Sequence, residues 1–359
     1  MINFSKIYDP ALLLTERLPI IVKMRAPLTV YPFSSLPPML QTIMIYYPIV
    51  AVFGVLANVM SIVILSRGNC GLSRCVSRYL VAMATADLLV VFLDVILYRV
   101  NDYYFPTTFL FITQVCACQI TLIHAATDIS VWLTLAFTFD RYVMICCHKL
   151  RTKVCSEITA RKVITIVFPL FVCKNIPWFF QLEPMFTVSK TDWLCVFRSQ
   201  DWTHPGWILF TWIHRVLTPL FPMLMISLLN ALTVARIVAA TRARKVLRGS
   251  NNYADENDSE VKSRRKSIIL LFAVSGNFIL LWMTYLIFFL WMQITQRFVF
   301  TSAKDPMLIA DQTSYMLLLL SCCTNTCIYA ATQSKFREEL INVMKYPVKI
   351  LLKCLIGGK

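Results

Sequence analysis

Seven apolar stretches, each long enough to cross a lipid bilayer, constrain this chain more than any other feature. They run over 40–66, 77–100, 112–146, 160–182, 205–240, 264–293 and 308–330, with short polar or basic connections between them. A hydrocarbon core about 30 Å thick takes roughly 20 residues of helix, and every stretch supplies that length. None alternates apolar and polar residues at period two, which argues against an outer-membrane barrel. Helices are then the remaining way to satisfy the backbone in lipid. The expected fold class is an all-α membrane protein, a seven-transmembrane helix bundle. With 58% hydrophobic and 15% charged residues among 359, nothing resembling a folded soluble domain is left outside it.

The net charge of +16 could suggest nucleic acid, but its distribution says otherwise. Arg67, Arg74 and Arg78 follow the first span, and Lys149, Arg151, Lys153, Arg161 and Lys162 follow the third. Arg242, Arg244, Lys245, Arg248, Lys262, Arg264, Arg265 and Lys266 follow the fifth. By the positive-inside rule these loops and the Lys-rich C-terminus are cytoplasmic and the N-terminus is extracellular. The charge is expected to set topology and touch anionic lipid, with no nucleic-acid partner. Three regions follow: an extracellular segment 1–40, the bundle 41–333, and a cytoplasmic tail 334–359 that starts as a short amphipathic eighth helix.

The first 40 residues are rich in proline and carry no apolar run with a small-residue cleavage site, so the first span is expected to act as its own insertion signal. Asn3-Phe4-Ser5 is a glycosylation sequon on the expected outside, while Asn257-Asp258-Ser259 has the same pattern on the inside. Cys354, in a Lys- and Leu-rich stretch, is placed for palmitoylation beside the membrane or is left unmodified.

The third span carries a mark at each end, Cys116 and the triplet Asp140-Arg141-Tyr142. The 24 steps between Cys116 and Asp140 cover roughly 36 Å of helix, so one helix places a cysteine at one membrane face and a charged triplet at the other. Other spans add Gly54 and Asn58, Asp87, Ser130, Pro222, Phe278 and Trp282, then Asn325 and Tyr329 followed by Lys335-Phe336-Arg337. In this order on seven basic-inside spans, these residues resemble the rhodopsin-like G-protein-coupled receptors over roughly 41–345. The resemblance implies a plasma-membrane receptor that passes an extracellular signal to a heterotrimeric G protein. Asp140, Arg141, Tyr142, Phe278, Trp282, Asn325 and Tyr329 would carry activation. Asp87 with Ser130, Ser321, Asn325 and Asn58 resembles the family's sodium site, where a sodium ion would act as an allosteric modulator; no other cofactor or metal is expected. A water-filled pocket without an ion remains the alternative there.

Cys195 lies midway along the longest outer loop, in Thr191-Asp192-Trp193-Leu194-Cys195. A Cys116–Cys195 disulfide would pin that loop over the bundle mouth, and both thiols would face an oxidising compartment. Cys118, two residues along, points to another helix face.

Departures from the family pattern are numerous. The fourth-span tryptophan is Phe168, the sixth-span proline is Thr284, and the seventh-span Asn-Pro pair is Asn325-Thr326. A hydrophobic position of the third span is Thr134, and the fifth-span tyrosine is Asn230. Losing two prolines removes kink sites. Within the family, Arg161-Lys162-Val163-Ile164, Ile176-Pro177 and Trp212-Ile213-His214 resemble the orphan-receptor 139/142-like subgroup that responds to tryptophan and phenylalanine. That subgroup's acid on the third span is here Ile123, followed by His124, and its sixth-span arginine is Tyr285.

Asp128 lies 12 residues from both Cys116 and Asp140, about 18 Å from either end of its helix. Lys174 is similarly deep in the fourth span, and His214-Arg215 enters from the outer half of the fifth. Ionisable groups at such depth must face the interior and pair, and the resemblance implies that these positions of the third, fourth and fifth spans are neighbours, so an Asp128, Lys174 and Arg215 cluster is expected. It would either receive a ligand carboxylate or be a structural ion network. The upper pocket would be lined by Arg99, Gln119, Ile123, His124, His214, Arg215, Trp282, Tyr285 and Tyr315. Without an acid at position 123, a peptide or an aromatic amino acid-like ligand fits better than an amine.

An enzyme is not expected, because no metal-spaced His/Cys cluster or nucleophile–base pair stands out. A small-solute transporter using Asp87, Asp128, Lys174 and Arg215 is one rival, and a receptor-like protein that no longer signals is another. Arg264 occupies the region where many relatives carry an acid opposite Arg141. Like charges there repel, so basal signalling is expected to be raised. At matched surface expression Arg264→Glu should lower basal second-messenger output; equal output from the two forms would refute the repulsion.

Overall fold

The computed structural model describes residues 32–105, 108–188, 191–198, 204–248, 258–295 and 305–356. Among them seven helices are long and apolar enough to cross a membrane. Their ends follow local chemistry. Helix α1, Pro38–Ser66, opens with proline in its first turn, where the ring's fixed φ suits the helix and its missing N–H costs nothing. It stops two residues before Gly68, whose φ of 75° reverses the chain. Helix α2, Arg74–Tyr104, is capped by the Ser73 hydroxyl, which accepts from Val76 N–H. Its section Val91–Val100 is wound as a π-helix. Helix α3 runs Thr113–Cys146 unbroken. Ser156 caps α4, Glu157–Asn175, and Pro177 opens the short helical turn Pro177–Phe180 that follows.

Two antiparallel strands come next, β1 Leu182–Val188 and β2 Thr191–Phe197, with Pro184 opposite Cys195. Helix α5 has two parts, Pro205–Arg215 and Phe221–Arg248, joined by a π-wound turn Val216–Leu220 around Pro219. Helix α6, Asp258–Thr295, and helix α7, Pro306–Thr332, pass straight through Thr284 and Thr326. The loss of both prolines is therefore reflected in unbroken helices. The eighth helix, α8, covers Ser334–Ile356. It is longer than the short amphipathic helix the sequence suggested.

Two apolar clusters hold the bundle. One gathers Phe278, Trp282 and Tyr285 of α6 with Tyr47, Val91, Leu319 and Cys323. The other, toward the Arg141 end, packs Tyr79, Leu133, Phe137, Leu270, Tyr329 and Phe336. The outward faces are apolar too: Ile49, Val52 and Leu56 on α1, Leu224 and Leu228 on α5, and Leu280 and Ile287 on α6 are exposed. Such a surface is at home in lipid. The sequence-based bounds were late at the starts of α2 and α4, because the first turns of those helices carry Arg74, Ser77 and Glu157 and read as loop.

Close approach of α1 to α2 and α7 depends on Gly54. A Cβ there would meet Cys323 Sγ at 2.8 Å and Val91 Cγ2 at 2.9 Å. Gly54→Ala should cost on the order of 1–3 kcal/mol through overpacking. The expected outcome is a lower melting temperature of the purified protein; an unchanged one would contradict this packing.

Candidate functional site

Polar residues line the bundle interior in layers along α3. At its first turn Cys116 is bonded to Cys195 of β2, with Cα atoms 6.0 Å apart. Thr113 Oγ1 donates to the Leu194 carbonyl at 2.8 Å, and Ile112 bridges Trp193. The hairpin is thereby fixed across this end of the bundle. A small cleft beside the disulfide is lined by Tyr98, Asn101, Phe111 and Gln119 among others.

Below the hairpin lies a chain of arginines and aromatic rings. Arg99 donates to Asp94 Oδ1 at 2.8 Å and to the Tyr47 hydroxyl at 2.8 Å. Its guanidinium stacks 5.1 Å from the Tyr47 ring and 5.0 Å from the Tyr315 ring. Tyr315 packs on Tyr285 at 5.3 Å, and Tyr285 packs edge-on to Trp282 at 6.2 Å. The Tyr285 hydroxyl accepts from Arg215, whose guanidinium sits 4.8 Å from the Phe289 ring. Arg99, Tyr315, Tyr285, Trp282 and Arg215 thus form one connected run. Gln119 instead donates to the Leu93 carbonyl at 3.1 Å, and Ile123 is half-buried on α3.

His124 and His214 belong to a second group centred on Trp178, 4.5 Å and 5.2 Å from its ring. Lys174 Nζ contacts His214 Nδ1 at 3.1 Å and Asp128 Oδ2 at 2.7 Å. Asn175 Nδ2 donates to the same carboxylate oxygen at 2.6 Å. The expected three-member cluster is corrected here: Asp128 pairs with Lys174 and Asn175, whereas Arg215 turns toward α6. The divergence has a geometric cause. Arg215 is the last residue before the π-wound turn of α5, and its contacts there are with Tyr285 and Phe289.

At mid-bundle both oxygens of Asp87 are taken: Ser130 Oγ donates at 2.5 Å and Asn325 Nδ2 at 2.8 Å. Ser321 accepts from Trp282 Nε1 at 3.1 Å instead. Asn58 donates to the carbonyls of Gly54 and Cys322 at 3.0 and 2.9 Å. Of the polar residues expected around a sodium ion, Ser130 and Asn325 meet the carboxylate directly, and Ser321 links to the layer above. Phe278 packs on Trp282 at 5.3 Å.

At the far end of α3 Arg141 is buried and ion-paired with Asp140, its Nε 3.0 Å from Oδ2. Cys75 Sγ donates to Asp140 Oδ1 at 3.1 Å, and Cys155 Sγ to the Asp140 carbonyl at 3.3 Å. Burial and the Asp140 charge push the Cys155 thiol up to about 12. Tyr142 is half-buried, and Tyr329 packs edge-on to Phe336 at 5.7 Å. Thr134 Oγ1 turns back to the Ser130 carbonyl, while Asn230 Nδ2 ties α5 to Ser275 of α6 at 2.8 Å. Asn3 and the side chains of Arg264 and Cys354 lie outside the described residues.

Sequence reasoning missed Asp94, Tyr47, Asn175 and Trp178. Asp94 and Arg99 are five apart, a spacing that an α-helix turns to different faces and that the wider π-helix brings together. Asn175 carried a usable signal, a polar side chain beside Lys174 in an apolar span.

Comparison with known proteins agrees with this architecture. The model of the 7 transmembrane receptor (rhodopsin family) matches residues 57–329. A "Rhodopsin, G0-coupled" of Mizuhopecten yessoensis is 22% identical, covering 84% of this chain and 71% of its own. The FMRFamide receptor of Drosophila melanogaster is 24% identical over 55% of this chain and 38% of its own length. C-C chemokine receptor type 1 of Homo sapiens is 24% identical, covering 82% of this chain and 77% of its own.

The Asp128–Lys174 pair yields a stability prediction. Lys174→Met strips the fully buried Asp128 carboxylate of its cation, at a cost of about 3 kcal/mol. The melting temperature of the variant should fall, and the double variant Asp128→Asn with Lys174→Met should regain most of the loss. A double variant no more stable than the single one would show that the pairing is not what matters.

Proposed function

The chain belongs to the rhodopsin family of seven-transmembrane receptors, and from that premise we propose that it converts a peptide or aromatic amino acid-like ligand, bound at the Cys116 end, into G-protein activation at the Arg141 end. Signalling through a G protein is the family's function, and its members are receptors, not enzymes. The finer statement is our own. It rests above all on one observation: a buried Asp140–Arg141 pair lies at one end of α3 and an arginine- and tyrosine-lined layer lies toward the other.

Several features support the choice of ligand. The layer offers cations and aromatic rings, suited to a peptide terminus or an aromatic amino acid. Two relatives are named for FMRFamide and for C-C chemokines. Short motifs also resemble the subgroup that responds to tryptophan and phenylalanine. In this proposal Arg99, His124, His214, Arg215, Trp282, Tyr285 and Tyr315 face the ligand, with Gln119 and Ile123 on the α3 side.

In this proposal the Arg141 end is cytoplasmic and residues 1–40 lie outside, with the bundle over 41–333 and the tail over 334–359; the basic loops after α1, α3 and α5 support that orientation. Asn3 would then be open to glycosylation and Cys354 to palmitoylation. Asp87, with Ser130, Asn325 and the nearby Ser321, would hold sodium in the resting state, the ion taking the place of direct hydrogen bonds to the carboxylate.

Arg141 decides the matter. Comparison of wild type with Arg141→Ala at matched surface expression should show constitutive and tryptophan- or peptide-stimulated G-protein activation falling at least tenfold in the variant. Activation that persists unchanged would defeat the proposal.

A further inference from the structure

Four basic side chains occupy the polar layers inside the bundle among the described residues: Arg99, Arg141, Lys174 and Arg215. Three are ion-paired, Arg99 with Asp94, Arg141 with Asp140 and Lys174 with Asp128. Among the described residues Arg215 has no carboxylate partner. Its Nε is buried and without a hydrogen-bond partner, and its one side-chain bond goes to a neutral phenol, the Tyr285 hydroxyl. Asp311 acts on it only at longer range, and that carboxylate is itself engaged by Gln312 Nε2.

A guanidinium at this depth without its counter-charge is a costly arrangement. Its Nε–H is unused, and its Nη groups, held by the Tyr285 hydroxyl alone, form a face that takes both oxygens of a carboxylate. Around it stand Phe289, Tyr285 and Tyr315, with Trp282 beneath Tyr285. The wall is aromatic, so the body attached to the anion should be aromatic as well.

We propose that Arg215 is the receiving group for a ligand carboxylate carried on an aromatic body, and that the Tyr285 hydroxyl is the internal partner this carboxylate displaces. The assignment deepens the receptor proposal, since it rests on a ligand entering from the Cys116 end. Displacement exchanges one bond to a neutral phenol for two to an oppositely charged carboxylate. It frees Tyr285, whose ring touches Trp282, and Trp282 is bonded to Ser321 one layer from Asp87. Occupancy above would thereby reach the helix-six tryptophan by direct contact.

The test uses the purified full-length protein and a matched pair of probes, 3-phenylpropionate and its neutral amide 3-phenylpropanamide, titrated at millimolar concentrations with the melting temperature as readout. The carboxylate should raise the wild-type melting temperature and the amide should not. Arg215→Gln should weaken the carboxylate effect at least tenfold, and Tyr285→Phe, which removes the competing hydroxyl, should strengthen it several-fold. Should Arg215→Gln not fold, Arg215→Lys keeps the charge without the fork and should still weaken the effect. Equal shifts for acid and amide, no shift with the acid, or a shift indifferent to Arg215 would each overturn the assignment. A carboxylate effect that needs Arg215 in a protein whose G-protein activation is insensitive to Arg141→Ala would uphold the anion site and defeat the receptor proposal; the converse pattern would do the reverse.

Discussion

Every ionisable group that this chain carries into the hydrocarbon region has to find its partner inside the bundle, and α3 is where most of that pairing converges. The helix contributes Asp128 to a buried ion pair with α4, Ser130 to the carboxylate of α2, and Asp140 to its own neighbour Arg141. Lipid offers no water to groups left unmatched, so each pairing fixes which face of a neighbouring helix turns inward. The helix that carries the layers packs against α2, α4, α5 and α6, while α5 leaves Leu224 and Leu228 to the lipid.

The pairing also separates two functions within the upper half of the bundle. Lys174, Asn175 and Asp128 form a closed knot between α3 and α4, with the histidines and Trp178 stacked above it. Its charges cancel locally, which suits a structural tie. Arg99 is likewise neutralised within α2. Arg215 is the exception, and it sits against α6, the helix that carries the packed pair Phe278 and Trp282. Charge compensation thus distinguishes the residues that hold the helices from the one that is left to meet something else.

How much of this was legible in the sequence varies with the physics of each feature. The seven spans and the disulfide pair were readable because span length and compartment leave few alternatives. Asp128 and Lys174 were readable as partners because charge at that depth admits little else. The contact of Asp94 with Arg99 was not, since it exists only through a π-wound segment that no residue pattern in α2 announces. The direction of Arg215 was missed for a related reason: the wide turn around Pro219 interrupts the regular winding of α5, and depth together with the helix arrangement that the resemblance implies joined Arg215 to the wrong group. The β-hairpin went unread because its strands are seven residues each and lie between two long apolar spans that dominate any pattern search.

The missing prolines change what activation has to do. A kinked sixth helix can swing its inner half by bending, whereas an unbroken α6 has to move as one rod. Such a rod is tied to α7 through Trp282 to Ser321 and Asn277 to Thr324, and to α5 through Tyr285 to Arg215 and Asn230 to Ser275. The two α5 ties lie ten residues apart, about 15 Å along the helix, one in the arginine- and tyrosine-lined layer and one near the middle of α6. Releasing the first alone would leave the rod hinged at Ser275, near its middle, so both of its ends could swing by similar amounts. Under the proposed receptor function, an outer event that frees Tyr285 would then pass to the Arg141 end by rotation about the Asn230–Ser275 bond, which would serve an unkinked helix as its pivot.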